Sequence, residues 1–503
     1  MGVGQAGEAE LRERAERFER RKRLVGLAAG PALFLIVLAW PLPGLGREAH
    51  TLLAVFAWTV AYWVTEALPV AVTALGSSAL AIVLGVGSAR EVLAAYADPV
   101  VFLFIGSFIL AEAMKETGLD RRFAFALLRH RWATRTPSRL ILAVGIVTCS
   151  LSLWMSNTAT TAIMLPVGVG VLRALGEPSA GGTSRLAIGL LLMLTWSSSV
   201  AVGIPVGSPP NLIAIGMIRD LTDRRLTFFD WVAVTMPLTV LMLALCWLLL
   251  SRLYREERPP GDGLDAHVAS EQRKLGPWSR GQTNVLAVFL LAGILWMAPG
   301  ALAMVAPGAA LPRLLEARLP ESAVALLAAV LLFLLPTDWR RSEFTLTWRQ
   351  AASIDWGTIL LFGGGLALGK LMFETGLAGA VGGTALRLTG VESVWTLTAA
   401  AIVVGVLLSE TSSNTASASM VIPVVIAVAQ GAGVSPIPPA LGAALGASFG
   451  FMLPVSTPPN AIVYGSRLVP LGEMIRAGIY LDVTGAVLIW LGLRLLCPLF
   501  GLL

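Results

Sequence analysis

The triplet Ser-Asn-Thr occurs twice, at Ser156-Asn157-Thr158 and at Ser413-Asn414-Thr415, each time inside an apolar stretch. Each is followed by a proline break, Ser208-Pro209-Pro210-Asn211 and Thr457-Pro458-Pro459-Asn460. Hydroxyls and amides offer neutral, hard oxygens, which suit small cations. Paired prolines remove amide donors and free carbonyls of the preceding turn, adding oxygens of the same kind. A half-helix that restarts at such a break presents an N-terminus that attracts an anion. The hydroxyls of Ser152, Ser156, Ser409 and Ser412 and the amides of Asn157 and Asn414 complete a set suited to binding a cation and an anion together. Neither triplet and neither proline motif contains Lys or Arg. A dianion held there depends on hydroxyls, amides, helix N-termini and bound cations, and co-bound Na⁺ is the simplest source of positive potential.

The elements that must position these residues lie in a membrane. The chain of 503 residues is 56% hydrophobic and 14% charged, with a mean hydropathy of +0.77, the profile of a polytopic membrane protein. Its apolar runs suggest about eleven crossings of a ~30 Å hydrocarbon core plus two re-entrant pairs. The first half reads as spans at 25–43, 49–70 and 72–89, an interrupted span at 97–120, a hairpin at 139–175 tipped by the first triplet, and a broken helix at 184–218. A hydrophilic linker, 251–282, has Pro259-Pro260-Gly261 at its centre. The second half, 283–503, carries a hairpin at 395–430 and a broken helix at 435–466.

The halves are copies. Glu116-Thr117-Gly118-Leu119 returns as Glu374-Thr375-Gly376-Leu377 at an offset of 258, the triplets at 257 and the proline motifs at 249. Charge relates the copies: six Arg and no acid lie between Arg121 and Arg139, whereas 379–394 holds only Arg387 and Glu392. The copies are therefore read as inverted, with the first hairpin opening to the cytoplasm and the second to the outside, the pattern of secondary transporters. The tail, residues 1–24, carries seven cations against five Glu. It reads as a cytoplasmic amphipathic helix in a multi-pass protein of the plasma (inner) membrane.

The net charge of +6 is confined to loops and points to topology rather than nucleic acid. Cys149, Cys246 and Cys497 are scattered and read as buried apolar groups, and His50, His130 and His267 lack metal-ligand spacing. No Ser-His-Asp or H-E-x-x-H pattern supports an enzyme. Asp98 and Asp355 read as helix N-caps. Glu410 suits either a brace for the second hairpin or a proton relay, and Lys370 and Glu374 read as an i, i+4 pair facing the interior. Tryptophans near segment ends read as interfacial anchors.

The paired triplets and Pro-Pro-Asn motifs resemble the divalent anion/sodium symporter family over roughly residues 45–500. The resemblance implies an all-α homodimer of two inverted repeats, with a scaffold domain that includes helices 25–96 and a transport domain moving as an elevator. It implies Na⁺ as the coupling ion, no organic cofactor, and a divalent organic anion as substrate. Carried over, one Na⁺ site would use Ser152, Ser156, Asn157 and Gly207, and a second Ser409, Ser412, Asn414 and Ser456. Substrate would meet Ser156, Asn157, Thr158, Ser208 and Pro209 from one repeat and Ser413, Asn414, Thr415, Thr457 and Pro458 from the other. The expected activity is Na⁺-coupled symport of C4-dicarboxylates such as succinate, malate and fumarate, with Na⁺-independent exchange, sulfate or citrate as alternatives. The chain departs from the family's Na⁺-coupled members at Ser409, Ser412 and Ser456, where Thr, Ala and Ala are usual, and at Gly203-Ile204, where a Gly-Thr pair is more usual. Symport against exchange is left open by these departures.

Overall fold

The structure, a computed structural model, describes residues 3–177, 184–256, 263–306, 309–389 and 393–503. The first half opens with α1 (Val3–Ala39), α2 (Arg47–Thr65), α3 (Val70–Val83), α4 (Ala89–Ala94), α5 (Pro99–Thr117), α6 (Leu119–Leu128) and α7 (Arg131–Thr134). A hairpin follows, α8 (Pro137–Ser152) and α9 (Asn157–Ala174), then a broken helix, α10 (Arg185–Ser199) and α11 (Pro209–Leu221), and α12 (Phe228–Leu253). Between the halves lies α13 (Gly263–Lys274). The second half begins with α14 (Arg280–Val305), α15 (Ala310–Arg318) and α16 (Glu321–Leu334). A small antiparallel pair, β1 (Pro336–Asp338) and β2 (Glu343–Phe344), leads to α17 (Trp348–Ala351), α18 (Trp356–Glu374) and α19 (Leu377–Thr389). The second hairpin, α20 (Val394–Thr411) and α21 (Asn414–Gly431), precedes a second broken helix, α22 (Ile437–Ala447) and α23 (Pro458–Gly465), and the last helix, α24 (Leu471–Leu499).

The fold is all-α, polytopic and doubled, as its motifs indicate. A further repeat signal is Pro166 inside α9 and Pro423 inside α21, again 257 residues apart. Among the described residues, eight helices are long and apolar enough to cross a membrane, or nine if the bent pair α15–α16 counts as one. Apolar helices such as α3, α8, α10 and α22 are too short by that test, because a helix that stops at a site inside the membrane need not reach the opposite face. The tail and first span form one continuous helix, α1, rather than a separate segment and span. The linker is also more ordered than its composition suggests: α13 packs on α6 and α9. Arg122 Nη2 donates to the carbonyls of Leu275, Gly276 and Pro277 at 3.0 Å. Pro259-Pro260-Gly261 and Glu392 lie outside the described residues, as does the side chain of His267.

The interior is apolar, as in a water-soluble protein, but so is much of the surface. Every residue of α22 is buried, as is every residue of α10 after Arg185, so these two helices form the centre. Around them, α24 buries Met474, Ala477, Leu481, Ile489 and Leu493 yet exposes Val483, Val487, Leu491 and Leu495. A helix apolar all round suits lipid on its outer face. Lipid removes the hydrophobic drive for helix pairing, so close packing of small residues must supply it. A methyl group at Gly446 would meet the Ile402 carbonyl oxygen at 2.5 Å, and one at Gly405 would meet that of Ala443 at 2.9 Å. These contacts lock α22 against the hairpin arm α20. Trp63, Trp196 and Trp231 are fully buried, unlike Trp339 and Trp348, which are exposed in connections as interfacial anchors would be. The three cysteines are buried and unbridged.

Gly446→Val forces these backbones apart and is expected to lower stability by about 1–3 kcal/mol. Gly379→Ala, where a methyl group meets nothing within 4 Å, is the matched control. Thermal unfolding in detergent, with equal melting temperatures for both variants, would refute the packing account.

Candidate functional site

Both hairpin tips and both proline breaks open into one cavity of about 690 Å³. Its wall contains Ser156, Asn157, Thr158, Ser208, Pro209, Ser413, Asn414, Thr415, Thr457 and Pro458, all ten residues expected to meet substrate. The local sequence explains why the helices begin there. Ser156 caps α9 by accepting the Ala159 amide at 3.2 Å, Ser413 caps α21 through Ala416 at 3.2 Å, and Thr457 caps α23 through Asn460 at 3.2 Å. At α11 the Ser208 side chain makes no cap and instead lies 3.4 Å from Ser448 Oγ of the other repeat. Four helix N-termini thus converge on one space, and their unpaired amides and dipoles favour an anion.

Behind each tip the same oxygen cluster recurs. Ser152 Oγ lies 2.9 Å from Asn157 Oδ1 and 2.9 Å from the Ser198 carbonyl. Ser409 Oγ lies 2.7 Å from Asn414 Oδ1 and 2.9 Å from the Ala447 carbonyl. At Gly207 a methyl group would meet the carbonyl oxygens of Ala201 and Leu153 at 2.8 and 2.9 Å, so a side chain is excluded where carbonyls crowd. In the second repeat the 249 offset puts Ser456 at the position of Gly207, and Gly450 packs beside it: a methyl group there would meet Ser409 Oγ at 3.0 Å and Ser456 Cβ at 3.2 Å. Among the described residues there is no group of three or more His, Cys, Asp or Glu that could hold a metal. Such neutral oxygen clusters fit a hard monovalent cation and not a transition metal.

Two expectations need correction, and one predicted side chain has a further partner. The Ser412 hydroxyl donates to the Trp63 carbonyl at 3.1 Å and ties the hairpin to α2. Many of the carbonyls freed by the prolines are also already engaged. Asn211 Nδ2 donates to the Val202 and Ile204 carbonyls at 3.2 and 3.1 Å, and Asn460 Nδ2 to those of Gly450 and Leu453 at 2.8 and 3.0 Å. Lys370 pairs with Asp220 of α11 at 2.8 Å rather than with Glu374, which is exposed. Asp220 also holds Arg219, and Arg219 bridges to Asp98. Asp98 accepts the Val100 amide at 2.8 Å and Asp355 that of Thr358 at 3.1 Å, so both cap, but Asp98 carries this ion pair as well.

The family model for the sodium:sulfate symporter transmembrane region matches residues 21–501. The chain belongs to the sodium:sulfate symporter family. This is the divalent anion/sodium symporter grouping that its motifs resembled. Its similar relatives include a sodium-dependent dicarboxylate transporter of Staphylococcus saprophyticus, 31% identical over 485 residues and covering 95% of this chain and 92% of the relative. A protein of the same name from Staphylococcus aureus is 29% identical over 486 residues, with the same coverage. Among solved structures the fold resembles the YdaH transporter of Alcanivorax borkumensis, with a TM-score of 0.54 at 15% identity, covering 79% of this chain and 85% of that one. It also resembles MtrF of Neisseria gonorrhoeae, with a TM-score of 0.52 at 12% identity, covering 92% and 97%. The protein is a multi-pass integral membrane transporter and not an enzyme.

Several residues of this sodium:sulfate symporter family member were not singled out in the sequence. Lys115, held by Glu112 at 2.7 Å, is the one cation on the cavity wall among the described residues, with Asp355 also lining it. Nothing in the repeat marks it, since its counterpart at the 258 offset is Phe373. Thr195 Oγ1 reaches across the repeats to Asn460 Oδ1 at 2.9 Å. The run Thr195-Trp196-Ser197-Ser198-Ser199 does not single out Thr195 for that role. Both Asn460 and Asn211 stood in the motif, yet their part as clamps on unwound carbonyls needed the third dimension.

Asn460→Ala removes the Nδ2 bonds to the Gly450 and Leu453 carbonyls, which then rest on Ser456 alone, and takes the Oδ1 acceptor from Thr195 Oγ1, a cost of about 0.5–1.5 kcal/mol for each bond lost. Its melting temperature is expected to fall further than that of Asn284→Ala, a residue that bonds Pro336 and Thr345 far from the cavity. Equal shifts would mean that the clamp is unimportant.

Proposed function

We propose that this transporter is a Na⁺-coupled symporter of divalent organic anions, importing C4-dicarboxylates such as succinate, malate and fumarate. The observation that carries this reading is the meeting of four helix N-termini and two Ser-Asn-Thr tips in one cavity, each tip backed by an all-oxygen cluster. The names of the staphylococcal relatives support dicarboxylate and sodium, whereas the family description mentions sulfate.

In this reading Ser152, Ser156, Asn157 and Gly207 hold one Na⁺, while Ser409, Ser412, Asn414 and Ser456 hold another. Bound Na⁺ supplies the positive potential that the substrate cavity lacks in its triplets. Asn157 and Asn414 each act on two sides, since each Oδ1 turns to the cluster and each residue lines the substrate space. Substrate carboxylates meet Ser156, Asn157, Thr158, Ser208 and Pro209 on one side and Ser413, Asn414, Thr415, Thr457 and Pro458 on the other. Because the same two asparagines face cation and anion, filling one site prepares the other, which is the condition for coupled transport. Movement of hairpins and broken helices as an elevator against a scaffold that includes 25–96, assembly as a homodimer, residence in the plasma membrane and a cytoplasmic N-terminus belong to the same proposal.

Thermal stabilisation of the purified protein by succinate, malate, fumarate, citrate and sulfate, with Na⁺ and with choline, tests it. Stabilisation by the C4 acids in Na⁺ alone is expected. In Asn157→Ala and Asn414→Ala the half-saturating Na⁺ should rise about tenfold or more, equivalent to ~1.4 kcal/mol. Uptake that ignores Na⁺ and requires internal dicarboxylate would establish exchange instead, and a response to sulfate or citrate alone would overturn the substrate assignment.

A further inference from the structure

The cavity has two unlike walls. One is made of the hairpin tips and the restarted helices α11 and α23. The other belongs to α5, which contributes Phe108, Ala111, Glu112 and Lys115, and to the start of α18, where Asp355 and Thr358 line the space. Residues 108, 111, 112 and 115 have the spacing of one helix face, so Glu112 and Lys115 turn to the cavity together. Among the described residues, every charged side chain of the cavity lies on this second wall.

Those charges are already committed. Lys115 Nζ lies 2.7 Å from Glu112 Oε1. Asp355 accepts the Thr358 amide at 3.1 Å and the Thr358 hydroxyl at 2.6 Å. The Glu112 side chain is 12% exposed and that of Lys115 47%, so the partners are unequally free to part. A lysine so exposed loses little by moving into water, whereas the sheltered carboxylate would be left without its counter-charge. Glu112 is therefore what keeps Lys115 in place. The dipole of α5 favours a cation in its last turn, where Lys115 stands, but it does not call for a glutamate beside it. Nor does the repeat: at the 258 offset Glu112 becomes Lys370, which pairs with Asp220, and Lys115 becomes Phe373. An ion pair that duplication did not supply faces the space the substrate enters.

Volume does not set the limit on what this space admits. About 690 Å³ falls in the range of sites that hold drug-sized ligands, more room than a four-carbon or a six-carbon acid needs. We propose that Glu112 and Lys115 are specificity-determining residues that restrict the transporter to dianions. The inference rests on the reading of the substrate as a divalent organic anion. Two carboxylates are met by the tips and the four helix N-termini. A third would point to the wall of α5 and α18, where the one lysine is occupied and Glu112 and Asp355 stand as two acids against one base. That wall repels a third carboxylate, and specificity comes from the repulsion as much as from the contacts at the tips.

Three anions in saturating Na⁺ test this: succinate, citrate, and the monoamide of citrate, which keeps the size of citrate with one carboxylate fewer. Dissociation constants are measured by calorimetry on the purified transporter at mildly alkaline pH, where the carboxyl groups are ionised. The wild type is expected to bind the monoamide about tenfold or more tightly than citrate. In Glu112→Gln, which frees the lysine, that preference should vanish or reverse through tighter citrate binding, with succinate little changed. In Lys115→Gln it should widen. The double variant, Glu112→Gln with Lys115→Gln, should lose the gain of the first and return to the wild-type ratio, which shows that the lysine and not the mere loss of an acid is responsible. A citrate-to-monoamide ratio that is the same in all four proteins would overturn the proposal and leave the dicarboxylate reading intact, since a purely structural ion pair alters both affinities alike. Failure of all three anions to bind in Na⁺ would overturn the dicarboxylate reading and the proposal with it.

Discussion

The whole arrangement depends on the fact that lipid cannot hydrogen-bond a peptide group. A helix may break inside a membrane only where protein or a polar site takes up the exposed amides and carbonyls. Here each break is repaired by an asparagine from the helix that follows it. Asn211 takes the carbonyls of Val202 and Ile204, and Asn460 those of Gly450 and Leu453. The neighbouring helix α12 reinforces the first break, with Trp231 Nε1 donating to the Val202 carbonyl at 2.9 Å and Thr235 Oγ1 to that of Gly203 at 3.3 Å. Because the carbonyls are secured, the amide ends of the restarted helices can be left facing the cavity. The anion-attracting character of the site is thus a by-product of how the backbone is satisfied.

Duplication gives the site two similar walls, and departures from symmetry make them unequal. Ser198 and Ala447, 249 residues apart, offer equivalent carbonyls to Ser152 and Ser409. Their neighbours Thr195 and Ala444 share the same offset, but only Thr195 has a hydroxyl to give. Asn460 Oδ1 therefore gains a partner from the first repeat, whereas Asn211 Oδ1 has none among the described residues. The second break is also the one gripped by Glu410, whose carboxyl oxygens accept the Met452 and Leu453 amides at 2.8 and 3.1 Å. Two oxygen clusters built from the same parts thus have different supports.

Charge within the apolar body serves to join segments. Asp98, Arg219, Asp220 and Lys370 link the start of α5, the end of α11 and α18 in one chain of ion pairs. Partial burial makes such pairs costly to break once formed, since a lone charge would be left behind. This chain lies apart from the cavity, whose own lysine, Lys115, is neutralised by Glu112. The cavity wall therefore offers helix N-termini and amides, with its lysine already paired.

By itself the sequence determined the membrane class, the doubling and the ten cavity residues, because lipid imposes a narrow composition and a repeated motif carries its own control. Ser156 and Asn157 could be recognised since a polar triplet inside an apolar hairpin is expensive unless used. The partners could not be read in this way. Ser412 turned to Trp63 and Lys370 to Asp220, 349 and 150 residues distant. Each choice was made by helix packing, which spacing along one helix does not encode. Only the tertiary structure decided which of the freed oxygens remain for a cation, since the clamp that consumes the others forms when a helix restarts beside its own break.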